Sequence, residues 1–164
     1  MKIRGYCLLI GCSFLLSGCA FDNHPLALAP VGPQPLAELN GPGQGGLLVY
    51  SAWDALDNRY RRSHSDYKIF ASDGKLVKRV SNSICFDDYD PVEVQLPAGQ
   101  YRILAMSQSV GRVLVPVQIT AGQTTSIYLD GYDYLRNSLI GSNHVVKLPD
   151  GQIVGWAATG AHNP

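Results

Sequence analysis

The stretch that decides the fold runs from Val92 to Asp130 and reads VEVQLPAGQYRILAMSQSVGRVLVPVQITAGQTTSIYLD. Every second residue is apolar at positions 92 to 96 and 113 to 119, and a third run places Thr125, Ile127 and Leu129 on one face. Such alternation is the period of a β-strand with one buried face. Pro97-Ala98-Gly99 and Ala121-Gly122-Gln123 separate the runs and are turn-forming sequences. The stretch therefore predicts four short antiparallel strands of a sandwich or barrel.

The sequence before this stretch supplies three more strand candidates. An apolar run spans Leu47 to Ala52, and a pair of runs spans Tyr67 to Ala71 and Leu76 to Val80. The pair is joined through Asp73-Gly74, and an Asp-Gly between two apolar runs is a strong hairpin signal. About seven strands are typical of a small Greek-key sandwich. We predict an all-β fold, a single antiparallel Greek-key β-sandwich, over residues 47–131.

The sequence after Gly131 predicts a further hairpin. Apolar residues from His144 to Leu148 and from Ile153 to Ala157 flank a second Asp-Gly, at Asp150-Gly151. An isolated two-stranded hairpin is marginal in water, so residues 132–164 are expected to pack on the sandwich or on a partner.

The central strands also resemble a known family. VEVQLPAGQYRILA followed by VPVQITAGQTTSIYLDG resembles the later strands of carboxypeptidase regulatory-like and PEGA-type domains of bacterial surface proteins. The resemblance covers about Tyr67 to Gly131. It implies a prealbumin-like β-sandwich and carries no catalytic residues with it. The link from Asn82 to Pro91 replaces a shorter one in the family, which leaves the strand register around Cys85 open.

The N-terminus has the features of a secretory leader. Lys2 and Arg4 precede an apolar run from Tyr6 to Leu16, and these eleven residues are too few for a membrane-spanning helix of about 20. Leu16-Ser17-Gly18-Cys19 resembles the lipobox of bacterial lipoproteins. The resemblance implies removal of residues 1–18 and acylation of Cys19 with chains such as palmitate, and two such chains hold a protein stably on a membrane. The alternative is an ordinary signal peptide followed by a chance Cys.

Two further expectations follow from the residues around Cys19. Ala20, in place of the Asp that favours the inner membrane in Gram-negative lipoproteins, implies the outer membrane, with the domain in the periplasm or at the cell surface. Residues 19–46 comprise Cys19 and a Pro- and Gly-rich segment that predicts a disordered tether, and its 25 residues from Asp22 to Gly46 could span about 75 Å in the polyproline II limit. The alternative is that this segment lies along its own domain, with which Leu26, Leu28 and Leu36 are compatible.

Composition limits the classes of partner. Lys2 and Arg4 leave with a leader that holds no acid, so 11 of the 13 basic residues remain against 13 acidic ones. A weakly acidic mature chain argues against a dedicated nucleic-acid binder. The 164 residues suffice for one ordinary domain.

The loop DNRYRRSHSD, residues 57–66, is the candidate binding site. It brings Arg59, Arg61 and Arg62 around Tyr60, and Arg and Tyr are enriched at interaction hot spots. Arg clusters also bind carboxylates and phosphates. The alternative is a hydrophilic connection whose Arg charges pair with neighbouring Asp residues.

Other chemistry has weaker support in the sequence. Asp87, Asp88 and Asp90 are possible oxygen ligands for Ca²⁺, but the EF-hand spacing is absent and a solvated loop is the alternative. His24, His64, His144 and His162 lack the spacing of a zinc motif, and no nucleophile elbow, phosphate loop or dinucleotide fingerprint is present. We predict no metal, no cofactor and no catalytic residues.

The function expected from the sequence is a lipid-anchored cell-envelope protein whose β-sandwich is a non-catalytic binding or scaffolding module. Its partner is an envelope protein or a cell-wall polymer. One alternative is an envelope hydrolase or thiol enzyme assembled from distant residues, with Cys85, the one free thiol expected after processing, and His64 or His144. Burial of Cys85 would count against it. The other alternative is a purely structural lipoprotein.

Overall fold

Twelve β-strands and no helix make up the described part of this chain. The computed structural model describes residues 26, 28–33, 43–55, 62–82, 91–132 and 144–158. The strands are β1 (Val31–Gly32), β2 (Gln44–Tyr50), β3 (Trp53–Ala55), β4 (Arg62–His64), β5 (Tyr67–Ala71), β6 (Leu76–Val80), β7 (Val94–Pro97), β8 (Gly99–Ser107), β9 (Gly111–Ile119), β10 (Thr124–Tyr128), β11 (Val145–Lys147) and β12 (Ile153–Ala157). The predicted all-β class is confirmed.

Two sheets and a separate hairpin organise these strands. The larger sheet has seven strands in the order β11-β12-β1-β9-β8-β5-β6, and the smaller has three in the order β10-β2-β7. Strands β3 and β4 pair with each other as a two-stranded unit. The arrangement is consistent with a β-sandwich, in which apolar faces of two sheets meet.

The core lies between the two sheets and follows the alternation of the central strands. Val113, Val115, Val117 and Ile119 of β9 are almost completely buried, as are Ile103 and Ala105 of β8. The smaller sheet contributes Leu47, Val49, Ile127 and Val94. Each fully buried aliphatic side chain contributes about 1.5–3 kcal/mol relative to an exposed one, so this alternation accounts for much of the driving force for folding.

Both Asp-Gly hairpins form as predicted. Strand β5 pairs antiparallel with β6, and β11 pairs antiparallel with β12. Gly74 and Gly151 adopt φ of +88° and +89°, a conformation that side chains disfavour, so Gly is the suitable residue in each turn. The terminal hairpin packs on the sandwich: β12 pairs with β1 and so extends the larger sheet.

The strand count and two pairings differ from the expected seven antiparallel strands. β10 pairs with β2 in parallel, and β1 pairs with β9 in parallel. The alternation of apolar residues predicts which side chains of a strand face the core. It does not predict whether the neighbouring strand is parallel or antiparallel, because side chains alternate between the two faces in both cases. β2 also begins at Gln44 and ends at Tyr50, where the sequence predicted Leu47 to Ala52.

Part of the predicted tether belongs to the domain. Val31 of β1 is fully buried between β12 and β9, and Leu26 and Leu28 pack against the core. The boundary at residue 46 is therefore too late, and for residues 26 and 28–33 the alternative of a segment lying on its own domain is correct. A two-residue strand has no readable period, which is why composition alone assigned it to a spacer.

Candidate functional site

Most of the predicted site residues lie outside the described part of the chain. These residues are Cys19, Arg59, Tyr60 and Arg61. The acidic cluster at residues 87, 88 and 90 and the candidate thiol of Cys85 also lie outside the described part. Arg62 begins β4, where its backbone is opposite Ala55 of β3. The acylation of Cys19 and the binding role of the Arg-rich loop therefore stay predictions.

Five aromatic rings, two of them from the β3/β4 hairpin, form a continuous run of contacts. We call these five rings the aromatic ladder. Tyr128 stacks on Tyr50 with ring centroids 4.9 Å apart, and Tyr50 meets the edge of His64 at 5.7 Å. Trp53 stacks on His64 at 4.1 Å and contacts Tyr132 edge-on at 6.2 Å. Stacked and edge-to-face pairs at these distances are favourable, by about 0.5–1.5 kcal/mol each beyond the area they bury.

Strand register brings the ladder together. Tyr128 and Tyr50 are direct partners in the parallel pair of β10 and β2, and Trp53 and His64 are direct partners in the hairpin of β3 and β4. Direct partners on one face of a sheet have adjacent side chains, so both stacked pairs follow from pairing alone. These contacts leave no local signal in the sequence, because residues 50 and 128 meet through a long-range parallel pairing.

The ladder lies on the outward side of the smaller sheet. In β2 and β10 the buried residues are Val49 and Ile127, so the adjacent Tyr50 and Tyr128 point away from the core and are partly exposed. Tyr132 at the end of the ladder is 52% exposed. Tyr132 is therefore accessible and Tyr50, Trp53 and Tyr128 are partly so, whereas His64 at the centre of the ladder is buried.

His64 holds the centre of the ladder in place. The ring is 2% exposed, and its Nδ1 lies 2.6 Å from the carbonyl oxygen of Ser51, to which it must donate since a carbonyl can only accept. The Ser51 hydroxyl in turn donates to the carbonyl of Ser65 at 2.6 Å. Among the described residues, nothing hydrogen-bonds to the buried Nε2 of His64 or to the buried Nε1 of Trp53, so stacking is the contact that joins these two rings.

Asn82 connects the base of the ladder to both sheets. Its side-chain amide donates to the carbonyl of Val49 at 2.9 Å and to the hydroxyl of Ser51 at 3.2 Å, while its side-chain carbonyl accepts from the N–H of Val92 at 3.0 Å. The residue is buried. It therefore satisfies backbone groups that would otherwise be costly to bury, and it fixes the position of Ser51 behind His64.

The two candidate catalytic histidines lie in different elements of the described structure. His64 is buried in the ladder, and His144 is exposed at the start of the terminal hairpin. Two cavities, of about 470 and 210 Å³, lie among the described residues, and neither histidine lines them.

A second surface has a different character: the outer face of the larger sheet, which points away from the core. In β8, Ile103 and Ala105 enter the core while Leu104 between them points outward. Cross-strand partners extend this face over β5, β6, β8 and β9. Its cationic side chains are Lys68, Arg79, Arg102 and Arg112, and its apolar ones are Phe70, Leu104, Met106, Leu114 and Pro116.

The cavity of about 470 Å³ is a groove in this outer face. Lys68, Arg79 and Arg112 line it together with Met106. Asp66 is the one acid among its described lining residues, and its Oδ1 accepts the backbone N–H of Asn82 at 3.0 Å. The groove therefore presents three cations to solvent.

Within the described ranges, no group of three or more His, Cys, Asp or Glu side chains is placed to hold a metal ion, and no helix is long and apolar enough to cross a membrane. Comparison of the chain with models of protein families found no match, and neither did comparison with curated proteins or with solved structures.

Proposed function

We propose that this chain is a lipid-anchored protein of the bacterial cell envelope, in which the β-sandwich is a non-catalytic binding module. Its partner is an envelope protein or a cell-wall polymer. The aromatic ladder is the observation that carries the proposal. Tyr50, Tyr128, Trp53 and the exposed Tyr132 pack around the buried His64 and form a partly apolar surface beside the smaller sheet.

Aromatic side chains are well suited to binding interfaces. Tyr and Trp bury a large area while losing few rotamers, and together with Arg they dominate binding hot spots. The hairpin that holds Trp53 and His64 is also the one whose connection contains Arg59, Tyr60 and Arg61. The proposed recognition surface therefore combines the ladder with this Arg-rich loop.

The anchor is proposed at Cys19, with the domain on the outer membrane and facing the periplasm or the cell surface. Growth of the native cells with labelled palmitate tests it. We expect the label on the wild-type protein and its loss in a Cys19→Ala variant. An unlabelled wild-type protein whose leader has been removed at another bond would contradict the anchor.

Binding is tested with the mature protein, insoluble wall polymer and detergent-solubilised envelope proteins from the native cells. Tyr132→Ala removes an exposed end of the ladder, and we expect about 30-fold weaker binding, the effect of losing about 2 kcal/mol at a hot spot. The Arg59, Arg61 and Arg62 triple Ala variant is expected to weaken binding similarly.

Gln95→Ala is the matched control for Tyr132→Ala. Gln95 is exposed on the same sheet, in β7, and makes no ring contact in the described structure. We expect unchanged binding from this variant. Equal binding by wild type, Tyr132→Ala and the triple Arg variant would remove the ladder and the loop as the recognition surface.

A further inference from the structure

The larger sheet is unusually one-sided in charge. Its seven strands contain six Lys or Arg residues and neither Asp nor Glu. Four of the six cations point from the outer face, although the mature chain as a whole carries a small excess of acid. A partner that covers this face must therefore carry negative charge.

The outer face also has the mixture of side chains that suits a lipid surface. Lys68, Arg79 and Arg112 surround the groove, and Met106, 38% exposed, lies among them. Leu104 and Leu114 are direct partners in the middle of the same face. Cations attract anionic headgroups, while apolar side chains between them can enter the interfacial layer.

The N-terminal segment enters the sandwich beside this face. Pro30 lines the cavity of about 210 Å³ together with Arg102 and Pro116 of the outer face. Leu26 already packs against the core, so only residues 20–25 separate the domain from Cys19. At about 3.5 Å per residue this link reaches at most about 25 Å. An acylated Cys19 would therefore hold Leu26, and with it the domain, within about 25 Å of the membrane.

We propose that the outer face of the larger sheet is a docking surface for a membrane bearing anionic lipid headgroups. Lys68, Arg79 and Arg112 contact headgroup phosphates at the groove, and Met106 lies at the interface between them. The aromatic ladder is on the other sheet and faces away from the membrane in this arrangement. The nearness of the domain to the membrane depends on the proposed acylation of Cys19. The charge of the outer face is independent of that acylation.

The test measures partition of the mature chain onto vesicles. The chain carries Cys19→Ser, so that it has no acyl anchor and a failure of docking is distinguishable from a failure of acylation. Vesicles of phosphatidylcholine with 30% phosphatidylglycerol are compared with vesicles of phosphatidylcholine alone, by sedimentation at about 0.1 M salt. We expect binding to the anionic vesicles only, weakening as salt is raised.

A charge-matched pair of variants locates the surface. The double variant Lys68→Gln with Arg79→Gln removes two cations from the outer face. The control double variant, Lys75→Gln with Lys78→Gln, also removes two cations. Lys75 lies in the turn before β6, and Lys78 lies on the opposite side of β6 from Arg79. At about 1 kcal/mol for each cation near an anionic membrane, the first pair is expected to weaken partition about 30-fold. The second pair should change it less than threefold. Met106→Glu, at an exposed position, provides an independent variant with the same expected direction as the first pair.

Three results would overturn the proposal. Equal losses from the two charge pairs would mean that net charge alone binds the vesicles. Equal partition onto neutral vesicles would remove the role of anionic headgroups. Absence of vesicle binding by a folded protein that does bind insoluble wall polymer through Lys68 and Arg79 would assign the outer face to that polymer instead.

Discussion

At the scale of single residues, Tyr67 is a buried side chain whose hydroxyl finds no hydrogen-bond partner in the part of the chain that the structure describes. It is 2% exposed, and burial raises the pKa of its hydroxyl well above the ordinary value. The folded state therefore keeps Tyr67 neutral while the unfolded chain ionises near pH 10, so this contribution to stability is complete below about pH 10 and falls as pH rises.

Tyr67→Phe is expected to stabilise the protein by about 1 kcal/mol at pH 7, since it removes a buried donor that nothing accepts. The loss of stability between pH 9 and 11 should also become smaller. Urea unfolding at these pH values measures both effects. A variant less stable than wild type by 1 kcal/mol or more at pH 7 would show that the hydroxyl has a partner.

Asn82 is the opposite case, a buried side chain whose hydrogen bonds are all used. Asn82→Ala leaves the carbonyl of Val49 and the N–H of Val92 without their partners, so we expect a loss of about 2–4 kcal/mol in the free energy of unfolding. Gln100→Ala, at an exposed position in β8, should change it by less than about 0.5 kcal/mol. Equal stability of the two variants in urea unfolding would contradict the role assigned to Asn82.

At the scale of elements, alternation and turn residues predicted most strands of the larger sheet. The pairs β5/β6 and β11/β12 formed where Asp-Gly turns separate apolar runs. The sequence could not predict the parallel pair of β2 and β10, because a pairing between residues about 80 apart leaves no local pattern. The aromatic ladder depends on that pairing, and for this reason Tyr50 and Tyr128 were missed.

Strand β1 was not predicted from the Pro- and Gly-rich composition of its segment. Its deletion should lower the free energy of unfolding. Strand β1 lies between β12 and β9, so among the described strands it is the one that joins the terminal hairpin to the rest of the larger sheet. Removal of residues 19–33 is expected to destabilise the mature chain by about 3–5 kcal/mol, through loss of the buried Val31, of Leu26 and Leu28, and of sheet hydrogen bonds.

Removal of residues 19–25 alone is the control for this deletion, since it ends before the first described contact with the core. We expect less than about 0.5 kcal/mol of change, measured by urea unfolding of both deletion variants beside the mature chain. Identical midpoints for the two deletions would mean that β1 contributes nothing to the stability of the sandwich.

At the scale of the whole molecule, the two sheets present surfaces of different chemistry. The smaller sheet carries the aromatic ladder with its exposed Tyr132, and the larger carries the cationic groove around Lys68. In the arrangement that we propose, the protein lies on a membrane through the larger sheet and binds a partner through the ladder. The predicted binding residues Arg59, Tyr60 and Arg61 belong in sequence to the connection between β3 and β4, the hairpin that holds Trp53 and His64.

The measurement that tests this account most directly is photo-crosslinking in native cells. A photo-crosslinking residue replaces Tyr132 in the intact protein, and the same residue at Gln95, exposed on the same sheet, serves as the control. We predict a discrete protein or glycan adduct from position 132 and little or none from position 95. Absence of an adduct at position 132 in correctly located protein, or equal adducts at both positions, would contradict the ladder as a recognition surface.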